Sequence, residues 1–240
     1  DGSGLSAFAN AQEAKRLFAF ERSIANRAHV STFVSEAEAA LFRQRTGLGA
    51  DRVVALENGI DLDSYNPALP RSPEPARQKP LIVFTGQMDY APNVEAVRIF
   101  ATEVMPLIRA RNSSATFAIV GRAPTAEVQS LAMLPGVIVT GGVPDTRDWL
   151  AAADVVVAPL RLARGIQNKV LESMAMARPV VASPAAAEGI DAVNGRDFVV
   201  ADGVAAEAEA VLALLANPDQ ADALGKAARA RMIDRYGWDA

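Results

Sequence analysis

Residues 164–183 read Arg164-Gly165-Ile166-Gln167-Asn168-Lys169-Val170-Leu171-Glu172-Ser173-Met174-Ala175-Met176-Ala177-Arg178-Pro179-Val180-Val181-Ala182-Ser183. A glycine opens a short helix, and a β-branched strand follows almost at once, which is one crossover of a parallel α/β sheet. Lys169 and Glu172 stand three residues apart, so they share one face of the helix. A helix N-terminus offers free backbone N–H groups and the positive end of its dipole, both suited to a phosphate. Gly165 lets the backbone approach closely, so Gly165 and Ile166 are expected to present N–H groups there. Lys169 reaches a diphosphate as a point charge. Glu172 carries two acceptor oxygens, which suit the vicinal diol of a ribose. Diphosphate plus ribose spells a nucleotide-linked donor. The competing reading of the same two residues is a solvated i,i+3 ion pair of about 0.2–0.5 kcal/mol.

Outward from this stretch, strands and helices alternate. Leu81–Thr85 is a continuous apolar run, as in a strand covered on both faces. Pro92 fits a helix first turn, and helical spacing continues from Val94 to Arg111. Strands are expected at Ala115–Gly121, Val137–Thr140, Val155–Ala158, Pro179–Ala182 and Phe198–Val200, with helices at Ala126–Met133 and Asp145–Ala153 and two alanine-rich helices at the end. The fold class is therefore α/β: a Rossmann-like parallel sheet with helices on both faces. Upstream, five of the 14 prolines fall between Pro67 and Pro80, which breaks regular structure. That run reads as a linker over 67–80. It separates residues 1–66 from an α/β domain over 81–240. The first piece holds a helix from Ala11 to Asn26, a strand at Val30–Val34, a Ser35/Glu38 capping box opening a helix to Arg45, and a strand at Val53–Leu56.

These motifs resemble glycosyltransferase family 4, the retaining, nucleotide-sugar-dependent enzymes of GT-B fold, and within it the bacterial sugar transferases of exopolysaccharide clusters. The family reads roughly E-x7-E followed by A-M-A-x-G-x-P-V-V-A. Glu172 sits at the second glutamate, Arg164 stands where the first would be, and Arg178 replaces a glycine. The resemblance runs from about Asn26 to the C-terminus. Val34-Ser35 with Glu38, and later Asn58-Gly59-Ile60-Asp61, resemble the end of the family's acceptor domain. The resemblance thus implies a C-terminal half of a GT-B fold, with residues 81–240 as its nucleotide-sugar donor-binding domain, plus a small α/β remnant of the N-terminal domain, in a chain that is a fragment.

By resemblance, the reaction moves a hexosyl group from a nucleoside-diphosphate sugar to the hydroxyl of a saccharide or lipid-linked acceptor, with retention, in cell-surface or exopolysaccharide biosynthesis. Donor-site groups would stabilise charge on the leaving diphosphate. No cofactor or metal is implied, the sugar nucleotide being a co-substrate, and this fragment alone is expected to be inactive. Relatives carry a basic residue after the first strand of this domain, whereas Gly86-Gln87-Met88-Asp89-Tyr90-Ala91-Pro92-Asn93 has none. A diphosphate needs countercharge, so Arg164, with Arg161, is assigned to supply it; the alternative is two solvent-facing arginines. Gly86 closes the first strand at the sheet edge where ligands bind, or is a plain turn glycine. The backbone at Gly142-Val143 is expected against the nucleobase. His29 reads as a structural histidine, and Tyr90 and Trp149 as packing residues. The catalytic residues are not legible. Two other classes stay open: a nucleotide-sugar epimerase of GT-B architecture, and a noncatalytic nucleotide-binding α/β module.

Composition sets the outer limits. The 240 residues carry a formal net charge of −4 and are 50% hydrophobic, enough for a sizeable core and opposed to nucleic acid as a partner. No cysteine and one histidine exclude thiolate and His-rich metal sites. No apolar run reaches the roughly 18 residues of a spanning helix, so a cytoplasmic protein with at most peripheral membrane contact is expected. Apolar faces left by the missing part make self-association a further expectation.

Overall fold

The computed structural model describes residues 2–56, 58–72, 75, 80–163 and 165–238, with the backbone alone for 2–9. Residues 73–74 and 76–79 of the proline-rich run, and Arg164, lie outside the described residues. The chain divides into two compact units, Asp1–Glu57 and Asn58–Ala240.

In the first unit, helix α1 (Gly2–Arg27) ends where the Arg52 guanidinium donates to the Ala25 and Ala28 carbonyls at 3.2 and 2.7 Å. Those are carbonyls that a helix C-terminus leaves unpaired. Strands β1 (Ser31–Phe33) and β2 (Val53–Ala55) pair in parallel, joined by helix α2 (Glu36–Thr46). The Ser35 hydroxyl accepts from the Glu38 N–H at 3.3 Å, capping α2 as its sequence predicts. Leu17, Phe20 and Ile24 form an exposed row on α1.

The second unit is built on six parallel strands: β3 (Leu81–Thr85), β4 (Thr116–Val120), β5 (Val137–Gly141), β6 (Val155–Ala158), β7 (Val180–Ala182) and β8 (Val199–Val200). Their spatial order is β5-β4-β3-β6-β7-β8. Every residue of β3 and β6 is buried, which explains why these strands read as unbroken apolar runs. The helices are α3 (Ala91–Ile99), α4 (Met105–Arg111), α5 (Ala126–Ser130), α6 (Thr146–Ala152), α7 (Asn168–Ala175), α8 (Pro184–Ala187), α9 (Val204–Ala216) and α10 (Pro218–Arg235). A wide π turn at Phe100–Val104 joins α3 to α4 just ahead of Pro106, which has no N–H to continue the regular ladder. The four-residue α8, capped by the Ser183 hydroxyl, has no hydrophobic period and was not foreseen. Among the described residues, no helix is long and apolar enough to cross a membrane.

One departure from the sequence reading matters for the site. The motif helix does not open at Gly165. It begins at Asn168, because Gly165 takes φ +63°, a left-handed conformation that a right-handed helix cannot include. A second feature was invisible in the sequence. Residues 58–72 run over the sheet unit. The Ile60 N–H donates to the Tyr236 carbonyl at 2.8 Å, Arg229 donates to the Tyr65 carbonyl at 2.8 Å, and Arg71 donates to the Ser64 carbonyl at 2.9 Å. Asp61 closes the intervening turn by accepting from the Ser64 N–H at 2.9 Å.

Candidate functional site

Because all six strands run the same way, their carboxyl ends share one edge. The strand order reverses between β3 and β6, where crossovers diverge and leave a crevice that ligands of open α/β sheets occupy. A cavity of about 570 Å³ lies there, walled by the residues that follow β3, β4 and β5, by the start of α7, and by Tyr65. That volume is in the ordinary range of small-molecule sites.

The floor depends on two glycines. The Gly86 N–H donates to the Val120 carbonyl at 3.0 Å, carrying the β3–β4 ladder one step past the strand. A Cβ on Gly121 would stand 1.6 Å from the Gly86 carbonyl oxygen. No side chain fits there, so the loops after β3 and β4 close on each other through bare backbone. A Cβ on Gly86 would meet the Asn93 amide nitrogen at 2.8 Å, so Gly86 makes room for Asn93.

Lys169 and Glu172 both face this cavity. The Lys169 ammonium donates to Asn93 Oδ1 at 2.6 Å and lies 4.4 Å from the centre of the Phe84 ring. Burial pulls its pKa down to about 8, with the Glu172 charge opposing. Burial pushes the Glu172 carboxyl up, against the Tyr65 hydroxyl and Lys169, which favour its ionised form. Both members of the pair are thus shifted toward neutrality: desolvation outweighs their mutual attraction. Tyr65 is held above its usual range by burial and then by the Glu172 charge. The Arg147 guanidinium, 5.9 Å from the Tyr65 ring centre, also pairs with Asp145, the cap of α6, at 2.8 Å. A half-buried lysine with one amide acceptor and a half-buried carboxylate beside the Tyr65 hydroxyl leave hydrogen-bonding capacity for a ligand that brings both negative charge and hydroxyl groups.

Of the eight residues singled out by sequence, Glu172, Lys169, Ile166, Gly86 and Val143 line the cavity. Gly165 and Arg161 do not line it. The Arg161 guanidinium instead meets Glu207 of α9 at 2.7 Å, and Glu207 is only 1% exposed. A buried carboxylate needs a partner, and Arg161 is it. Arg164 falls outside the described residues. Tyr65, Asn93 and Arg122 also line the cavity and were not singled out from the sequence as site residues. The glycine ending β4 and the arginine after it mirror Gly86 at the end of β3, which is the signal that would have found Arg122.

The family described as Glycosyl transferases group 1 matches residues 79–217, more than half of the chain. Alpha-maltose-1-phosphate synthase of Mycolicibacterium smegmatis is 32% identical over 236 residues, covering 82% of this chain and 56% of that protein. The chain therefore spans little more than half the length of this relative. The crystal structure of a glycosyltransferase from Rickettsia africae superposes with a TM-score of 0.74 at 16% identity, over 93% of this chain and 63% of that one. Anabaena HepE, solved in complex with UDP and glucose, gives a TM-score of 0.71 at 16% identity, over 92% and 62% of the two chains. The six-stranded parallel sheet flanked by helices is that of GT-B glycosyltransferases. A crevice at the reversal of strand order and a family match centred on the sheet that forms it lead to one conclusion: this chain belongs to the group 1 glycosyl transferases.

Proposed function

We propose that this chain binds a nucleoside-diphosphate sugar in the crevice between β3 and β6 and serves as the donor half of a sugar transfer. The single observation that carries this reading is the placing of Lys169 and Glu172 on one wall of the 570 Å³ cavity at the start of α7. Glu172 accepts from the ribose hydroxyls. Lys169 and the first N–H groups of α7 take the diphosphate, whose leaving charge they stabilise as the glycosidic bond to the donor breaks. The backbone at Gly142 and Val143 lies against the base. Support comes from the relatives: HepE is solved with UDP and glucose in the same fold.

The acceptor on this reading is a saccharide or lipid-linked hydroxyl, with transfer under retention in cell-surface or exopolysaccharide assembly in the cytoplasm. The motif resemblance around Glu172 supports these finer points. Positioning both substrates carries much of the rate of such a transfer. This chain, shorter than its relative, is therefore read as a donor-domain fragment that binds the nucleotide without transferring the sugar by itself. Calorimetric titration with UDP, GDP and ADP, then with their sugar conjugates, tests the proposal. Saturable binding of one diphosphate is expected. No binding of any nucleotide would end it.

A further inference from the structure

Four residues at the cavity form one continuous chain of hydrogen bonds. Arg122 donates from Nη2 to Gln87 Oε1 at 3.0 Å. The Gln87 carbonyl accepts from Asn93 Nδ2 at 2.9 Å. Asn93 Oδ1 accepts from Lys169 Nζ at 2.6 Å. A cation stands at each end and two neutral amides stand between them. Each amide side-chain oxygen accepts from one of the cations.

The backbone holds this arrangement from below. The Met88 N–H donates to the Arg122 carbonyl at 2.9 Å, and Gly121 lies against the Gly86 carbonyl. Arg122 is thereby rooted to the loop that carries Gln87. Among the described residues, no carboxylate pairs with Arg122. Arg161, Arg147 and Arg231 of the same unit are bound to Glu207, Asp145 and Asp191. Among the described residues, the charged side chains that line the cavity are Arg122, Lys169 and Glu172, together a net single positive charge.

We propose that Arg122 and Lys169 are a paired cationic clamp for the two phosphates of the donor, held apart and in place by Gln87 and Asn93. This rests on the reading of the cavity as a nucleotide-sugar site. It assigns the second countercharge to the end of β4, since the run from Gln87 to Asn93 has no cation of its own. Arginine gives bidentate contacts to phosphate oxygens, and lysine gives a point charge. Two separated charges favour a ligand with two phosphates over one with a single phosphate.

The test compares UDP, GDP and ADP with UMP, GMP and AMP by calorimetry, for the wild-type chain, Arg122→Gln and Gln87→Leu. Arg122→Gln is expected to weaken the diphosphate by about ten- to a hundredfold, the loss of a charged hydrogen bond, and the monophosphate by less than about threefold. Its diphosphate affinity should also vary less with salt, because a screened contact is gone. Gln87→Leu keeps both charges but frees the guanidinium. It should weaken the diphosphate less than Arg122→Gln does while keeping the wild-type salt dependence, which a merely structural effect would not reproduce. Equal losses for diphosphate and monophosphate in Arg122→Gln, or a diphosphate affinity within about twofold of wild type at low salt, would overturn the clamp while leaving the donor site standing. Failure of the wild-type chain to bind any nucleotide would instead remove the site on which it rests.

Discussion

Raising the pH should loosen the nucleotide and tighten the empty protein through the same group. Burial is the first cause that brings the Lys169 pKa down to about 8, against 10.5 for an ordinary lysine. A diphosphate beside the ammonium favours its charged form and returns the pKa toward the ordinary value. Binding then requires a proton that the free protein has begun to lose. With those two pKa values, affinity falls about tenfold between pH 7 and pH 9, or about 1.4 kcal/mol, and at pH 8 about half a proton enters per nucleotide bound.

The assay is titration calorimetry at pH 8 in buffers of different ionisation enthalpy, where the slope of observed heat against that enthalpy counts the protons. Stability has the opposite sign. The unfolded chain holds the Lys169 proton up to about 10.5 and the native chain releases it near 8, so this group makes the empty protein more stable as pH rises through that window. Lys169→Met should abolish both effects. Wild-type binding at pH 8 whose heat is the same in every buffer would refute the argument.

Glu172→Ala should weaken the diphosphate by about 1–3 kcal/mol, the value of a lost hydrogen bond to a charged group, and its 2′,3′-dideoxy counterpart much less; equal losses measured by calorimetry would exclude the ribose assignment. Tyr65→Phe removes a hydroxyl that holds the Glu172 pKa down, so the acid limb of nucleotide binding should move to higher pH, and superimposable pH profiles would dismiss that contact. Gly121→Ala forces a methyl group onto the Gly86 carbonyl and should cost about 1–3 kcal/mol, seen as a lower Tm; an unchanged Tm would mean that the loops yield freely. Burial raises Glu207 from 4.5 to about 7, so the native state keeps a proton that the unfolded chain loses, and stability falls as pH rises through that interval. Glu207→Gln should flatten this slope in thermal unfolding between pH 5 and 7, and parallel curves would count against it.

The sheet was legible because buried parallel strands are written as apolar runs, and Leu81–Thr85 and Val155–Ala158 could hardly be anything else. Glu172, Lys169 and Gly86 were legible because helix spacing and the strand end fix where they point. The start of α7 was misread because Gly165 looks the same in sequence whether it opens a helix or takes a left-handed turn before one. Arg161 was assigned to the ligand because loop arginines carry no mark of their partner; Glu207, 46 residues later on α9, is the partner the fold supplies. Asn93 and Tyr65 were missed for a related reason. Their roles come from contacts across the fold, Asn93 to Lys169 and Tyr65 to Glu172, that no local pattern encodes.

Residues 58–72 have a consequence for any attempt to dissect or recombine this protein. They precede the first strand of the sheet, yet they pair with the chain's last turn at Tyr236 and bring Tyr65 to the cavity. A sheet module excised at Leu81, where the regular alternation starts, would strip one wall from the pocket and uncover Glu172. It would also leave Arg229 without the Tyr65 carbonyl that it now binds. The natural seam lies at Asn58, so chimaeras that exchange nucleotide preference between relatives should be cut there, carrying the strap together with the sheet it closes.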